Sequence, residues 1–131
     1  MRVFKTKTFA RFARKEGLGD KVLAGAIADI ERGLVDANMG GGLIKQRVAR
    51  TGEGKRGGFR TLIAYHVGER AVFLYGFAKS DQDNIRPEDE RDLKDYGAML
   101  LALKDKDIEL MTKDGELKEI SYGKKDKKIS Q

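Results

Sequence analysis

The sequence predicts a single α+β domain, with a small, mostly antiparallel sheet, a pair of helices near the amino terminus and one helix near the carboxyl end. Three observations predict this class: apolar residues at helical spacing within the first 40 residues, strand-like runs between residues 43 and 78, and a proline-initiated helix after them. Strands and helices in separate stretches of a chain are typical of α+β proteins. The length of 131 residues fits one domain, expected over residues 1–122, with a disordered lysine-rich tail over 123–131.

Composition narrows the function classes. Residues 1–60 hold 14 Lys/Arg against 6 Asp/Glu, whereas residues 61–131 hold 13 against 15. A basic half joined to a mildly acidic half indicates a surface that binds a polyanion such as nucleic acid. The absence of cysteine excludes disulfides, and a single histidine argues against a protein-held zinc site. With no apolar stretch long enough to cross a bilayer and no signal core near the start, we expect a cytoplasmic protein.

The first third of the chain predicts a strand and two helices. Residues 2–5 form the strand candidate, and a helix follows with Phe9, Phe12 and Ala13 on one face. After an interruption by glycines, Asp20 is placed to cap a second helix. That helix is expected to end near residues 38–42, because consecutive glycines supply no helical propensity. Its apolar residues repeat at helical spacing: Leu23, Ile27, Ile30 and Leu34.

The middle of the chain predicts three strands. Residues 43–50 form a basic strand, and residues 51–58 contain four glycines, which predicts a mobile loop. Residues 59–67 and 71–78 are rich in β-branched and aromatic residues and are joined by a short turn. The last strand is apolar on both faces, which is typical of a central strand.

The last third predicts a helix that starts at Pro87. Proline is tolerated at the first helical position, and the acidic residues after it favour the positive end of the helix dipole. Residues 108–111 are expected to extend this helix, and residues 117–122 to form a late strand. The apolar stripe that is expected to pack on the sheet is Leu93, Tyr96, Leu100 and Leu103.

The densest functional signal is the basic segment from Lys45 to Arg60. Its cations surround glycines that let a backbone approach a ligand closely, and arginine binds phosphate in a bidentate manner. The segment lacks the Gly-Lys-Ser/Thr ending of a nucleotide-binding P-loop. We therefore interpret it as a surface that binds the phosphates of a nucleic acid, although a solvated hairpin with ordinary surface charge is the plainer alternative. Its cations are Lys45, Arg47, Arg50, Lys55, Arg56 and Arg60.

Two motifs carry a resemblance to a known family. The run from Lys55 through Gly57-Gly58-Phe59-Arg60 into an apolar strand, and the run Phe73-Leu74-Tyr75-Gly76-Phe77-Ala78-Lys79, resemble the central and exit strands of RelE/HigB-like toxins of the RelE/ParE superfamily. The resemblance implies a RelE/ParE-like fold and the toxin role in a type II toxin–antitoxin system. It also implies ribosome-dependent, metal-independent cutting of messenger RNA, with no cofactor.

The resemblance also implies roles for individual residues. Arg60 matches the family's strand arginine and is the candidate for phosphate stabilisation. Lys55 and Arg56 match basic loop positions that add charge or assist proton transfer, and Lys79 matches the basic residue of the exit strand. The chain departs from the family after Lys79, where it has neither the arginine and tyrosine of RelE-type members nor a histidine near Asp81. No general acid or base is therefore assigned.

The resemblance leaves alternatives open. The expected partners are messenger RNA, the ribosome and a cognate antitoxin, which in this group is often a helix-turn-helix DNA-binding protein. One alternative function is inhibition of DNA gyrase, as in the ParE branch, and another is RNA binding without cleavage. We interpret His66 as a structural residue. We expect Tyr65 and Tyr75 to pack in the core, with stacking on RNA bases as the alternative. We expect the acidic residues between 81 and 90 to interact with the helix dipole, with metal binding as the alternative.

Overall fold

The computed structural model describes residues 1–50, 54–80, 82 and 84–123, and for residues 50 and 54–57 it describes the backbone alone. The predicted tail, apart from Gly123, and the predicted loop residues 51–53 lie outside the described residues. The described part of the chain forms six strands and four helices. In chain order they are β1 (Arg2–Thr6), α1 (Lys7–Glu16), α2 (Asp20–Glu31), β2 (Ala37–Gly40), β3 (Leu43–Arg50), β4 (Gly54–His66), β5 (Arg70–Ala78), α3 (Pro87–Ala102), α4 (Asp105–Lys113) and β6 (Leu117–Ile120).

The strands form one six-stranded sheet in the order β2-β3-β4-β5-β1-β6. Neighbouring strands are antiparallel, except that β1 and β5 run parallel. The predicted α+β class with a mostly antiparallel sheet is confirmed. The prediction of a central, doubly covered last strand is confirmed as well, because β5 lies between β4 and β1 and is buried along most of its length.

The helices cover the sheet on both sides. Side chains alternate between the two faces along each strand, so Val3 and Phe4 belong to different cores. The α1–α2 face packs Phe9, Leu23 and Ile27 against the sheet, and the α3–α4 face packs Leu100 and Ile108 against it. Every one of these residues is fully buried, so apolar burial on both faces fixes the helices to the sheet.

Two sequence predictions about the second helix are wrong. α2 ends at Glu31 instead of near residues 38–42, because Gly33 adopts a left-handed conformation (φ 85°) and the chain then enters β2. Leu34 is consequently 57% exposed. Asp20 does not cap the helix, since Gly19 occupies the capping position and the Asp20 carboxylate accepts a hydrogen bond from Lys5 Nζ at 2.6 Å.

The glycine-rich stretch also differs from its prediction. The expected loop over residues 51–58 is strand from Gly54 onward, and Gly54 pairs with Arg50 across the hairpin. Glycine has a low strand propensity, but its backbone N–H and C=O can still form the hydrogen bonds of a sheet. Pairing with β3 therefore outweighs the low propensity of these glycines.

The predicted extension of the last helix is a separate helix. α3 ends at Ala102, Leu103 is extended, and α4 starts at Asp105. The Arg70 guanidinium stabilises this break by donating to the carbonyls of Leu100 at 2.9 Å and Leu103 at 2.8 Å. Carbonyls at a helix end lack intrahelical partners, and here a side chain from β5 supplies them.

The predicted apolar stripe of α3 is confirmed apart from Tyr96. Leu100 is buried, and Leu93 and Leu103 are partly buried against the same core, whereas Tyr96 is 38% exposed. Gly97 lets α3 approach the sheet closely, since an added Cβ would lie 2.9 Å from the Ala64 Cβ and 3.2 Å from Leu74 Cδ1. A residue without a side chain is therefore required at this contact.

Gln46 joins the chain after α2 to the sheet. It is 2% exposed, and its amide donates to the Leu34 carbonyl at 2.7 Å while accepting from the Asp36 backbone N–H at 3.1 Å. Thr61, also buried, donates to the Gln46 carbonyl at 2.9 Å. One amide side chain therefore fixes the segment that leads to Asp36 at the edge of β3.

We expect the substitution Gly97→Ala to destabilise the fold by about 1–3 kcal/mol, because the new methyl group would overlap Ala64. Gly25 in α2 provides the matched control, since nothing lies within 4 Å of its added Cβ, and Gly25→Ala should stabilise by about 0.5–1 kcal/mol. Urea unfolding of the two variants measures both effects. Equal shifts in the same direction would contradict the close packing of α3.

Replacing Gln46 by Leu should lower the free energy of unfolding by about 1–2 kcal/mol. The apolar side chain fits the buried position but leaves the Leu34 carbonyl and the Asp36 N–H without their partner. The midpoint of urea unfolding reports the loss. Gln46→Glu, which keeps the acceptor for Asp36 but places a second carboxylate beside it, should also destabilise; an unchanged midpoint in both variants would show that the amide is dispensable.

Candidate functional site

The register of β3 and β4 places two arginines side by side. Arg47 pairs directly with Arg60, so their side chains leave the same face of the sheet. Lys45, two residues before Arg47, projects from that face too. The face is the one that α3 and α4 cover elsewhere, because Leu62, the next residue on the same side after Arg60, lies in the core beneath α3.

These cations line a depression of about 340 Å³ whose described walls come from strands and from the segment before β2. A liquid water occupies about 30 Å³, so the depression has room for a phosphate group and several waters. The described residues that line it are Asp36, Ala37, Lys45, Arg47 and Arg60. No residue of the helices is among them, which leaves this end of the sheet open to a ligand.

The Arg60 guanidinium is the unsatisfied group of the site. One of its terminal nitrogens, Nη1, is buried and has no hydrogen-bond partner among the described residues. A buried donor without a partner costs about 1–3 kcal/mol, and more when it is charged. An anion in the depression would supply the missing acceptor, and arginine can offer two parallel N–H groups to a phosphate.

Arg47, by contrast, has a counter-ion within the protein and remains partly exposed. The Asp36 carboxylate lies 3.3 Å from Arg47 Nε and accepts the Arg47 backbone N–H at 2.5 Å. Asp36 is held in place by Gln46, which binds its backbone N–H. Three cations therefore share the depression with one described carboxylate, and that carboxylate is committed to Arg47.

Gln82 and Asn84, which follow β5, make polar contacts beside the site. Lys45 Nζ donates to the Asn84 side-chain oxygen at 3.4 Å, and Gln82 Nε2 donates to the Asn84 carbonyl at 2.9 Å. The Tyr75 hydroxyl lies 3.5 Å from Gln82 Oε1, and Ile85 anchors the segment in the core. Lys45 is thereby oriented along the edge of the depression.

The structure brings together three of the residues predicted from the sequence, Arg60, Arg47 and Lys45. Lys79 is exposed and does not line the depression. Its backbone N–H donates to the Gly58 carbonyl at 3.3 Å, and by alternation its side chain shares the face of Phe77, the partner of Arg60. The side chains of Arg50, Lys55 and Arg56 lie outside the described residues, so their predicted roles stay predictions.

The aromatic and histidine candidates lie elsewhere. His66 pairs with Arg70 at the far end of β4 and is exposed beside Glu69, with Nε2 and Oε2 3.7 Å apart. Tyr65 packs on the α1–α2 face, where burial and, to a lesser degree, the charge of Glu31 raise its pKa. Tyr75 packs on the opposite face, so the two tyrosines do not form one base-stacking surface.

The acidic residues near α3 interact with neighbouring cations. Arg86 Nε lies 2.9 Å from Asp89, and Lys94 Nζ lies 3.1 Å from Glu90. Within the described ranges, no group of three acidic or histidine side chains is arranged to hold a metal ion. Asp81 and Asp83, which belong to the same predicted acidic set, lie outside the described residues.

Sequence reasoning missed Asp36, Gln46 and Asn84. The prediction placed Asp36 inside a helix, and this hid its position at the edge of β3. Gln46 and Asn84 carry no sequence signal, because an amide becomes informative only when its backbone partners are known. If the sequence analysis had ended the second helix at Gly33, Asp36 would have fallen outside the helix and become a candidate partner for an arginine of β3.

Comparison with known proteins identifies the family to which the chain belongs. No curated protein matches the chain. None of the described helices is long and apolar enough to span a membrane. The family model described as the RelE toxin of the RelE/RelB toxin–antitoxin system matches residues 1–120, which is nearly the whole described chain. The six-stranded, mostly antiparallel sheet with four helices is consistent with that fold. The chain therefore belongs to the RelE family, toxins of toxin–antitoxin systems that bind a cognate antitoxin and act on ribosomes.

Proposed function

We propose that this protein is a metal-independent endoribonuclease that cuts messenger RNA on the ribosome, with Arg60 as the principal phosphate-stabilising residue. The observation that carries the proposal is the buried Arg60 nitrogen without a partner, at the edge of an open depression that Lys45 and Arg47 also line. A fixed, partly desolvated cation stabilises developing negative charge more strongly than a solvated one.

The proposed reaction uses the RNA's own hydroxyl as nucleophile. The 2′-oxygen bonds to the adjacent phosphorus, the bond from phosphorus to the 5′-oxygen breaks, and the products are a 2′,3′-cyclic phosphate and a free 5′-hydroxyl. The proton of the 2′-hydroxyl leaves to a base, and the 5′-oxygen takes a proton from an acid. Arg60 stabilises the extra charge on the phosphorane, while Lys45 and Arg47 bind the neighbouring backbone.

The remaining roles rest on the family resemblance. Lys55 and Arg56 are proposed to add charge or assist proton transfer, and Arg50 to contact the RNA backbone. Lys79, directly after β5, is proposed to bind the same phosphate as Arg60. The antitoxin is proposed to block the depression or ribosome entry and to be a helix-turn-helix DNA-binding protein.

Two other functions remain as outcomes of the test. A gyrase inhibitor of the ParE type would reduce DNA supercoiling and leave RNA intact. A non-cleaving RNA-binding module would bind RNA in a salt-sensitive manner without forming a cyclic phosphate. Adding the protein to a translating extract and to a gyrase assay, and mapping RNA ends in the first, distinguishes all three.

The variant Arg60→Met should lose cleavage in the translating extract by about 10²–10³-fold, since methionine keeps the apolar stem but removes the charge. The same change should leave stability equal or higher, because it removes a buried donor that has no partner in the described protein. RNA end mapping and urea unfolding measure the two effects. Arg91→Met, at an exposed position of α3, is the control and should change neither. Full cleavage by Arg60→Met would remove Arg60 from the mechanism.

Inorganic phosphate should stabilise the wild-type protein by binding in the depression. A ligand at ten times its dissociation constant adds about 1.4 kcal/mol, so the unfolding midpoint should rise with phosphate concentration. The rise should be absent in Arg60→Met and retained in Arg91→Met, because Arg91 does not line the depression. Potassium chloride at equal ionic strength corrects for screening. An identical rise in all three proteins would mean that the depression does not hold the anion.

A further inference from the structure

The proposed cleavage needs a group that accepts the proton of the 2′-hydroxyl. The described residues that line the depression are Asp36, Ala37, Lys45, Arg47 and Arg60. Alanine has no polar side chain, the ammonium group of a protonated lysine offers donors alone, and arginine does not lose its proton in proteins. A carboxylic acid is ordinarily ionised at neutral pH and then acts as an acceptor. Asp36 is therefore the proton acceptor among the described lining residues.

The other common proton acceptors of enzymes lie away from the depression. The sequence contains one histidine, His66, and it is exposed at the far end of β4 beside Glu69. The Tyr75 hydroxyl lies 3.5 Å from Gln82 Oε1, and Tyr75 does not line the depression. No described carboxylate other than that of Asp36 lines it either. The described part of the chain thus offers Asp36 for proton removal and no competing group.

The Asp36 carboxylate has unused acceptor sites. Oδ2 accepts the Arg47 backbone N–H at 2.5 Å, and Oδ1 lies 3.3 Å from Arg47 Nε. Each oxygen of an ionised carboxylate has about two acceptor sites, and the described contacts use one site on each oxygen. The side chain is 28% exposed, so a ligand can reach the remaining sites. The ion pair with Arg47 therefore leaves Asp36 able to accept a hydrogen bond from a ribose hydroxyl.

Both the backbone and the side chain of Asp36 are anchored. The backbone N–H donates to Gln46 Oε1 at 3.1 Å, and the buried Gln46 amide is itself fixed by the Leu34 carbonyl. The carboxylate is oriented by Arg47. Ion pairs as exposed as this one contribute little to stability, so stability alone does not account for the arrangement. A catalytic group, in contrast, must be held in a fixed position.

The sheet places Asp36 at a suitable distance from Arg60. Ala37 pairs with Lys45, so Asp36 lies one strand position beyond β3, whereas Arg60 lies on β4 directly opposite Arg47. Neighbouring strands are about 4.8 Å apart, which separates the Asp36 and Arg60 backbones by about 10 Å across Arg47. Both side chains line the same depression. The space between them suits one ribose with its phosphate, with the phosphate at Arg60 and the 2′-hydroxyl at Asp36.

We propose that Asp36 is the general base of the cleavage, an assignment that rests on the proposed function. An Asp36 carboxylate oxygen takes the proton of the 2′-hydroxyl while the 2′-oxygen bonds to phosphorus. The bond from phosphorus to the 5′-oxygen breaks, and that oxygen takes a proton from water or from a neighbouring ammonium group. Asp36 then returns its proton to solvent. Arg47 orients the base and Arg60 stabilises the phosphorane, so opposed positions of β3 and β4 serve the two halves of one step.

The test uses ribosomes programmed with two short messenger RNAs under single-turnover conditions. Mapping the ends produced by the wild-type protein locates the bond that is cut, and the second messenger carries sulfur in place of the 5′-oxygen at that bond. A thiolate leaves without being protonated, so sulfur removes the need for an acid and keeps the need for a base. The variant is Asp36→Asn, which keeps an acceptor for the Arg47 N–H. Asp92→Asn, at an exposed position of α3 outside the depression, is the matched control.

Asp36→Asn should cut both messengers about 10²–10³-fold more slowly than the wild-type protein, and Asp92→Asn should cut both at the wild-type rate. The protein concentration that gives half of the maximal rate should be unchanged or lower in Asp36→Asn, because removing a negative charge does not weaken RNA binding. A loss confined to the oxygen-containing messenger would make Asp36 the acid and overturn the proposal. Unfolding midpoints in urea establish that the variants are folded.

A double-variant comparison separates catalysis by Asp36 from a role that acts only through Arg47. The double variant Asp36→Asn with Arg47→Met should cut at least about tenfold more slowly than Arg47→Met alone. A double variant no slower than Arg47→Met would show that Asp36 only positions Arg47, and the assignment as base would be wrong. If the wild-type protein cuts neither messenger, the proposed function itself fails. Equal cutting by the wild-type protein and Asp36→Asn would overturn the present proposal and leave the proposed function standing.

Discussion

The site depends on like charges facing each other across β3 and β4. Arg47 and Arg60 occupy directly opposed positions, and such pairs destabilise a sheet unless other groups compensate. The protein compensates one of them with Asp36 and leaves the Arg60 Nη1 without a partner in the described chain. The register of one strand pair thereby places both arginines at the depression, and a shift by a single residue would turn these side chains to the opposite face.

Most of the remaining fold holds that register in place. Apolar packing on both faces fixes β4 and β5, with Gly97 letting α3 approach closely and Arg70 ending that helix. Gln46 ties the chain before β2 to β3, and so brings Asp36 to Arg47. The segment after β5 orients Lys45 through Asn84. The helices pack on the apolar part of the sheet, and Lys45, Arg47 and Arg60 lie at the end that the helices do not line.

The sequence predicts the helices and strands that local residue patterns determine. It does not predict the helix ends and strand pairings that depend on tertiary contacts. The strands from residue 43 to 78 and the start of α3 at Pro87 follow from β-branched runs and proline, and are confirmed. The end of α2 and the strand over Gly54–Gly58 are predicted wrongly, because a left-handed Gly33 and pairing with β3 outweigh propensity. The cluster of Lys45, Arg47 and Arg60 was predicted from charge density. Asp36 was not, since its role depends on the Gln46 amide and on a strand edge that no local pattern reveals.

The charge asymmetry of the sequence has a spatial counterpart. The acidic first turns of α3 and α4 belong to the helical layer on one face of the sheet, whereas the exposed cations of α1 lie on the opposite face. At physiological ionic strength the screening length is about 8 Å, so a polyanion would interact mainly with the charges of the face that it approaches. Under the proposed function, the Arg60 guanidinium would gain its missing acceptor when a phosphate enters the depression. The desolvation cost of this one buried nitrogen in the free protein would then be recovered on binding.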